Sequence, residues 1–242
     1  MKVLTINIWR YYEWEKRKEK LIKFILDLNA DIVFLQETAY DERLKDKYQN
    51  QVDEINKALG YRDFAYRKLM DMKKWHKDNI DWYMEWGLGI LSKFKIKKVE
   101  RVILNPVVKS KDFGFLYVQL ESEKGIIDCI NVHFENTDEG SKEQLKKTIE
   151  WCNKKKIKPI IAGDFNMKDT NALLEIADSD FKISYKIKEY KSFMPTKFSN
   201  NSEPITLDYI IVHKELFEMK NVECIQNDAS DHNPVVADIN FL

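Results

Sequence analysis

The chain has 242 residues, is 44% hydrophobic, and sets 40 Lys and Arg against 40 Asp and Glu. That length and apolar content suit one large domain over residues 1–242, and the zero formal charge argues against a strongly basic nucleic-acid wrapper, leaving room for a local basic cleft only. Three widely spaced cysteines without a CxxC pair argue against a zinc site or disulfide framework, and no apolar run reaches the ~18 residues of a membrane span. A cytoplasmic protein without membrane insertion, monomeric by default, is expected.

The elements follow from hydrophobic periodicity. "KVLTINIW" is a strand, and residues 14–28 place Leu21, Phe24, Ile25 and Leu28 on one helical face. "DIVFLQE" is a buried strand ending on a carboxylate. Residues 42–59 carry Leu44, Tyr48, Val52, Ile55 and Leu59 at helical spacing, stopped by Gly60. Strands are expected near 61–67, 88–92, 97–104, 114–121 and 125–132, and a helix over 141–155. Then come "KPIIAGDFN", a short helix near 170–178, "TLDYIIV", a strand near 221–226, and the final "PVVADI". There is no internal sequence repeat, low-complexity tract or linker. Strands outnumber helices and several are wholly apolar, so two sheets packed face to face under helices would bury them.

Polar residues recur at the tips of these apolar runs. Asp164 and Asn166 in "GDFN" are two apart; in extended chain they share a face and suit a hard cation or a water beside a phosphate, and the alternative is an Asx turn. Glu37 is either an oxygen ligand or a solvated strand end. Asn7 is a ligand or a turn-capping amide. His133 and His232 each read singly as structural histidines, and His76 and His213 as surface ones. Asp208 sits inside an apolar β-branched run, where a buried charge needs a partner; a histidine or a lysine would serve, and His232 is the best histidine candidate. Residues 64–86 crowd Trp75, Trp82, Tyr83 and Trp86 among Lys68, Lys73, Lys74 and Lys77. These either stack bases and hold phosphates or form a helix with Trp82 and Trp86 packed on the domain.

Taken in order, "TINIW", "DIVFLQET", "GLGILSK", "INVHFEN", "IAGDFNM", "LDYIIV" and "SDHNPVVADI" resemble the endonuclease/exonuclease/phosphatase superfamily along nearly the whole chain. The resemblance implies an α+β fold, a four-layer αββα sandwich of two mainly antiparallel sheets flanked by helices. It implies a Mg²⁺- or Mn²⁺-dependent phosphoric ester hydrolase, with nucleic acid as the expected substrate and a small or lipid phosphate ester as the alternative. Glu37, Asn7 and Asp231 would lie at the metal. Asp164 and Asn166 would hold the attacking water and a phosphate oxygen. His232, oriented by Asp208, would contact the phosphate, and His133 would bind phosphate or assist the leaving oxygen. The general base stays open between Asp164 and His232. Asn136, Arg10, Trp75 and Lys74 are expected on the substrate side. Within the superfamily, Ile205 stands where apurinic endonucleases carry a tryptophan, and "HFEN" with Asp169 in "GDFNMKD" is closer to the tyrosyl-DNA phosphodiesterase pattern.

Overall fold

In a computed structural model, which describes residues 1–71, 83–104, 113–196 and 202–242, twelve strands form two six-stranded sheets. The first sheet runs β11 (Phe217–Cys224), β12 (Val235–Phe241), β1 (Lys2–Asn7), β2 (Ile32–Asp41), β4 (Met84–Ser92), β3 (Asp63–Asp71). The second runs β5 (Lys95–Ile103), β6 (Gly114–Ser122), β7 (Gly125–His133), β8 (Ile160–Asp164), β10 (Asp208–His213), β9 (Phe181–Ile183). Each sheet has one parallel step, β1–β2 and β7–β8, and its other pairings are antiparallel. Each parallel step needs a crossover, which α1 (Trp14–Leu28) and α3 (Asp138–Lys155) supply. The two sheets therefore share one pattern of pairings, in circularly permuted chain order, although no sequence repeat marks it.

Strand alternation assigns the layers. Val3, Ile32, Phe34, Leu88 and Ile90 face Leu116, Val118, Cys129, Ile160, Ala162 and Ile210 between the sheets. Leu4, Ile6, Val33 and Leu35 face outward onto Leu21 and Ile25 of α1 and Val52 and Ile55 of α2 (Gln51–Leu59). Ile130, Val132, Ile161 and Ile211 face outward onto Leu145, Ile149 and Cys152 of α3 and Leu173 of α4 (Thr170–Ala177). This is the expected four-layer sandwich. A one-turn α5 (Ser184–Ile187) precedes the segment that runs back to the site.

Three boundaries differ from the periodicity. Residues 42–59 are not one helix: Asn50, in extended conformation, accepts from the Asp53 N–H and starts α2 at Gln51. Trp86 lies in β4, buried between the sheets, so it belongs to a strand rather than to a helix shared with Trp82. Helix α3 begins at Asp138, three residues early, because Thr137 caps the Gly140 N–H at 3.1 Å. Trp75, Lys74, Lys73, Lys77, His76 and Trp82 lie outside the described residues.

A buried polar bridge crosses the core. The register of β2 against β4 slips between Leu35 and Thr38, which oppose Gly89 and Gly87, so β2 carries one extra residue. At this bulge the Asn131 amide of β7 reaches from the other sheet and donates to the carbonyls of Leu35 (2.9 Å) and Gly89 (2.7 Å). Its Oδ1 accepts from Gln36 Nε2 at 2.7 Å, and Gln36 also holds Thr5. All three side chains are fully buried. Asn131→Ala strands these groups in the core, at ~1–3 kcal/mol each. We expect a stability loss of about 3–5 kcal/mol, read as a lower urea midpoint at unchanged slope; a loss under ~1 kcal/mol would show that the bridge is dispensable.

Candidate active site

The bulge that Asn131 seals also aims Glu37. The residue adopts φ 52, a left-handed backbone that is costly for a side chain, and sits within β2 rather than at its end. Its carboxylate lies 2.8 Å from the Arg10 guanidinium, and the Arg10 N–H donates to the Glu37 carbonyl at 3.1 Å. Arg10 leans over the Trp86 ring at 5.9 Å, and Trp86 packs on His133 at 5.1 Å.

Asn7 closes β1 with both polar atoms of its amide engaged. Its Oδ1 accepts the Trp9 N–H at 3.0 Å and its Nδ2 donates to Asp164 Oδ2 at 3.1 Å, across to the other sheet. The chain then turns through Trp9, Arg10 and Glu13, all left-handed. Arg17 pins this turn. Its buried guanidinium donates to the carbonyls of Ile8 (3.0 Å), Trp9 (3.3 Å), Arg10 (3.4 Å), Tyr12 and Ala229, and it sits 5.4 Å over the Trp9 ring. One side chain thereby ties the loop after β1 to the loop before β12. Sequence reading missed Arg17, although a lone Arg among the lysines of α1 was a signal, since only Arg offers a five-donor fork.

In the second sheet, His133, Asp164 and Asp208 share one rung: Asp164 registers against both His133 and Asp208. Gly163 at φ 146 permits this rung, because a Cβ there would meet the Val132 carbonyl at 2.0 Å. Asp164 Oδ1 accepts the Asn166 N–H at 2.9 Å, an Asx turn. Asn166 is left-handed at φ 49 and its Nδ2 holds the Phe134 carbonyl at 3.0 Å. The extended Asp-x-Asn geometry is thus replaced by a turn, because Asp164 captures the backbone two residues on.

His232 Nδ1 is 2.7 Å from Asp208 Oδ2, both groups buried. Its Nε2 faces Asp164 Oδ2 at 4.0 Å, and His133 Nε2 faces the same oxygen at 3.7 Å. These gaps are too long for hydrogen bonds and wide enough for a bridging oxygen. Residues 190–194 brace the set: Ser192 Oγ accepts the N–H groups of Leu207 and Asp208, both at 3.0 Å, and Phe193 stands edge-on to the His232 ring at 5.1 Å. Ser230 Oγ donates to the Asn7 carbonyl at 2.6 Å, which holds the turn carrying Asp231 and His232 against the end of β1. The structure thus gathers Asn7, Arg10, Glu37, His133, Asp164, Asn166, Asp208, Asp231 and His232 at one edge of the sandwich. Asn136 is exposed at the foot of α3.

The electrostatics divide by partner. Burial alone would push the His232 imidazole down, but Asp208, then Asp164 and Asp231, outweigh it and push it up to about 10. Burial, with Asp208 adding, pushes the Asp164 carboxyl up, against the pull of His133, His232 and Asn7. Asp231 rises to about 6 through burial, with Glu37 adding and His232 opposing. Burial pushes the Glu37 carboxyl up, but Arg10, His133 and His232 together hold it below the usual range.

Two groups of residues fit a cation. Ligand atoms of Asp164, Asp208 and His232 lie within 4.8 Å of one another, but the 2.7 Å bond between His232 and Asp208 commits two of the three. Glu37 is the second candidate: its buried Oε2 meets only the Arg10 guanidinium, at 2.8 Å, and carboxylate and amide oxygens of the Asp231 and Asn7 type are the hard donors a divalent cation takes.

The His232 proton is held more tightly in the folded chain than at its ordinary 6.5. Its pairing therefore stabilises fully below about pH 6.5 and is lost as pH rises through about 10. With EDTA present, the wild-type thermal midpoint should fall more steeply between pH 7 and 10.5 than that of Asp208→Asn, measured by circular dichroism. Equal slopes would contradict the pairing.

Comparisons with known proteins bear on the fold and the family. The chain is 25% identical over 287 aligned positions, 98% of each chain, to the uncharacterized protein L388 of Acanthamoeba polyphaga mimivirus. It superposes on the human Nocturnin catalytic domain with bound sulfate at a TM-score of 0.75 and 20% identity, covering 100% of this chain and 94% of that one. It superposes on the Bacteroides thetaiotaomicron mannosyl-6-phosphatase Bt3783 at 0.68 and 16%, covering 100% of both. The endonuclease/exonuclease/phosphatase family model matches residues 4–232, so the chain belongs to that family, whose members hydrolyse phosphodiester or phosphate esters.

Proposed function

We propose that the protein is a divalent-cation-dependent phosphodiesterase acting on nucleic acid. The observation that carries the chemistry is the buried chain Asp208–His232 facing Asp164, with Asn7 and Glu37 presented from the opposite sheet. Glu37, with Asp231 and Asn7, would hold Mg²⁺ or Mn²⁺. Bound there, such a cation supplies Lewis-acid charge to a phosphate oxygen.

The chain's own groups account for the rest. His232 carries its proton at neutral pH, held by Asp208, so it acts as an electrostatic donor to the phosphate and not as a base. Asp164 is then the acceptor for the water proton. Both its oxygens are fixed, Oδ1 by the Asn166 N–H and Oδ2 by Asn7, and burial raises its basicity. His133 Nε2, 3.7 Å from that oxygen, would meet the phosphate or the leaving oxygen.

The nucleic-acid reading rests on the rim. Trp9 and Tyr12 pack at a 35° tilt with centroids 4.2 Å apart, flanking Arg10 in the chain and only partly buried. An aromatic pair next to a cation and a phosphate site suits a base adjoining the scissile bond. The likeness to a mannosyl-6-phosphatase supports a small phosphate ester as the second reading.

Purified protein with Mg²⁺ or Mn²⁺ should cleave at least one of single-stranded, duplex, abasic or 5′-tyrosyl DNA, or RNA. EDTA should abolish the cleavage. Asp164→Asn should lower kcat by about 10³-fold or more, given roughly 10²–10⁴ for general-base help and the loss of a fixed charge. Release of phosphate from mannose 6-phosphate or an inositol phosphate, with every nucleic acid intact, would overturn the substrate assignment. Trp9→Ala should raise KM for the nucleic acid about tenfold, one stack being worth ~1–3 kcal/mol, with kcat nearly unchanged. An unchanged KM would take Trp9 out of the substrate path.

A further inference from the structure

Glu37 is already paired with a cation that belongs to the chain. The Arg10 Nε lies 2.8 Å from Glu37 Oε2, and the contact is largely shielded, with the two side chains 28% and 16% exposed. The geometry is fixed from both sides. Arg10 and Glu37 are both left-handed and joined through their backbones, and Arg17 holds the Arg10 carbonyl. The Arg10 guanidinium also lies over the Trp86 ring, 5.9 Å from its centroid. A monovalent cation this close to a carboxylate repels a divalent one offered to the same oxygen, and the shielding keeps that repulsion strong.

We propose that Arg10 and the divalent cation compete for Glu37, and that a substrate phosphate, by giving Arg10 a second anion, couples cation binding to substrate binding. The proposal rests on the reading of Glu37 as a cation ligand given above. Arg10 then has two positions: on Glu37 in the resting protein, and on the phosphate when cation and substrate are both bound. Linkage makes the coupling reciprocal: phosphate tightens the cation, and the cation tightens phosphate. Arg10 on Glu37 also weakens apparent cation affinity by the fraction of molecules in which the pair is closed.

The test is Mn²⁺ binding, followed by the electron paramagnetic resonance signal of the free ion, with and without phenylphosphonate, a phosphate-ester mimic that water does not cleave. In the wild type, phenylphosphonate should tighten Mn²⁺ at least fivefold. Arg10→Gln should bind Mn²⁺ alone at least fivefold more tightly than the wild type and lose most of the coupling. Arg10→Lys, which keeps the charge, should stay close to the wild type. A wild type without coupling, an Arg10→Gln that binds Mn²⁺ no more tightly, or an Arg10→Lys that behaves as Arg10→Gln would each overturn the competition. Glu37→Gln separates the two levels. If it loses Mn²⁺ while Arg10→Gln is unaltered, only the role of Arg10 fails; if it binds Mn²⁺ like the wild type, the cation reading of Glu37 fails with it.

Discussion

One extra residue in β2 governs the site. The bulge between Leu35 and Thr38 turns Glu37 left-handed toward the cleft and presents the Leu35 and Gly89 carbonyls to the other sheet. Asn131 satisfies both, and in doing so fixes one sheet against the other. An apolar interface is permissive about sliding, because hydrophobic burial is non-directional. A buried amide with three partners is not, since a shift of an ångström leaves polar groups unpaired in the core. The bridge thereby sets which strand tips oppose each other, and so brings Asn7 within 3.1 Å of Asp164.

The loops are fixed in the same manner by groups set behind the chemistry. Arg17 ties two loops through carbonyls alone, Ser230 ties the Asp231–His232 turn to β1, and Ser192 holds the amides that start β10. Each is a backbone contact, so it positions the chain while leaving the reacting side chains unencumbered. The left-handed residues Trp9, Arg10, Glu37 and Asn166 cluster around the site. Such conformations cost roughly 1–3 kcal/mol each and persist where the surroundings over-determine them. Here the determinants are visible: Arg17 for the first two, the bulge for Glu37, the Asp164 turn for Asn166.

What the sequence reveals and what it hides follows from range. Strand tips were legible because a run such as "KPIIAGDFN" ends its apolar stretch where its polar group stands, and period-2 burial is a local property. The need of Asp208 for a partner was legible from the cost of a charge among β-branched residues, and His232 stands within 2.7 Å of it. Glu37 was read as a strand tip although it lies inside β2 at a bulge, because the slip exists only relative to β4. Asn166 was left open between an extended strand end and an Asx turn, because the two compete on nearly equal terms, and the Asp164 and Phe134 contacts decide for the turn. The duplicated topology was invisible because pairing order leaves no trace in composition.

Charge balance connects these parts to the chemistry. Four carboxylates, Glu37, Asp164, Asp208 and Asp231, converge on the cleft, answered within the chain by Arg10 and the His232 imidazolium. Asp208 and His232 neutralise each other, and Arg10 answers Glu37. Asp164 and Asp231 are the two whose carboxyls rise, chiefly through burial, with Asp208 adding for the first and Glu37 for the second. A site in this condition takes up positive charge readily, and a divalent cation supplies it. A phosphate then reverses the demand, because its own charge must be met by groups already in use. His232 can meet it without leaving Asp208, since Nδ1 is bound and Nε2 faces the cleft. Under the competition proposed above, Arg10 meets it by turning from Glu37 to the phosphate. The arrangement therefore favours cation and phosphate arriving as a pair over either arriving alone.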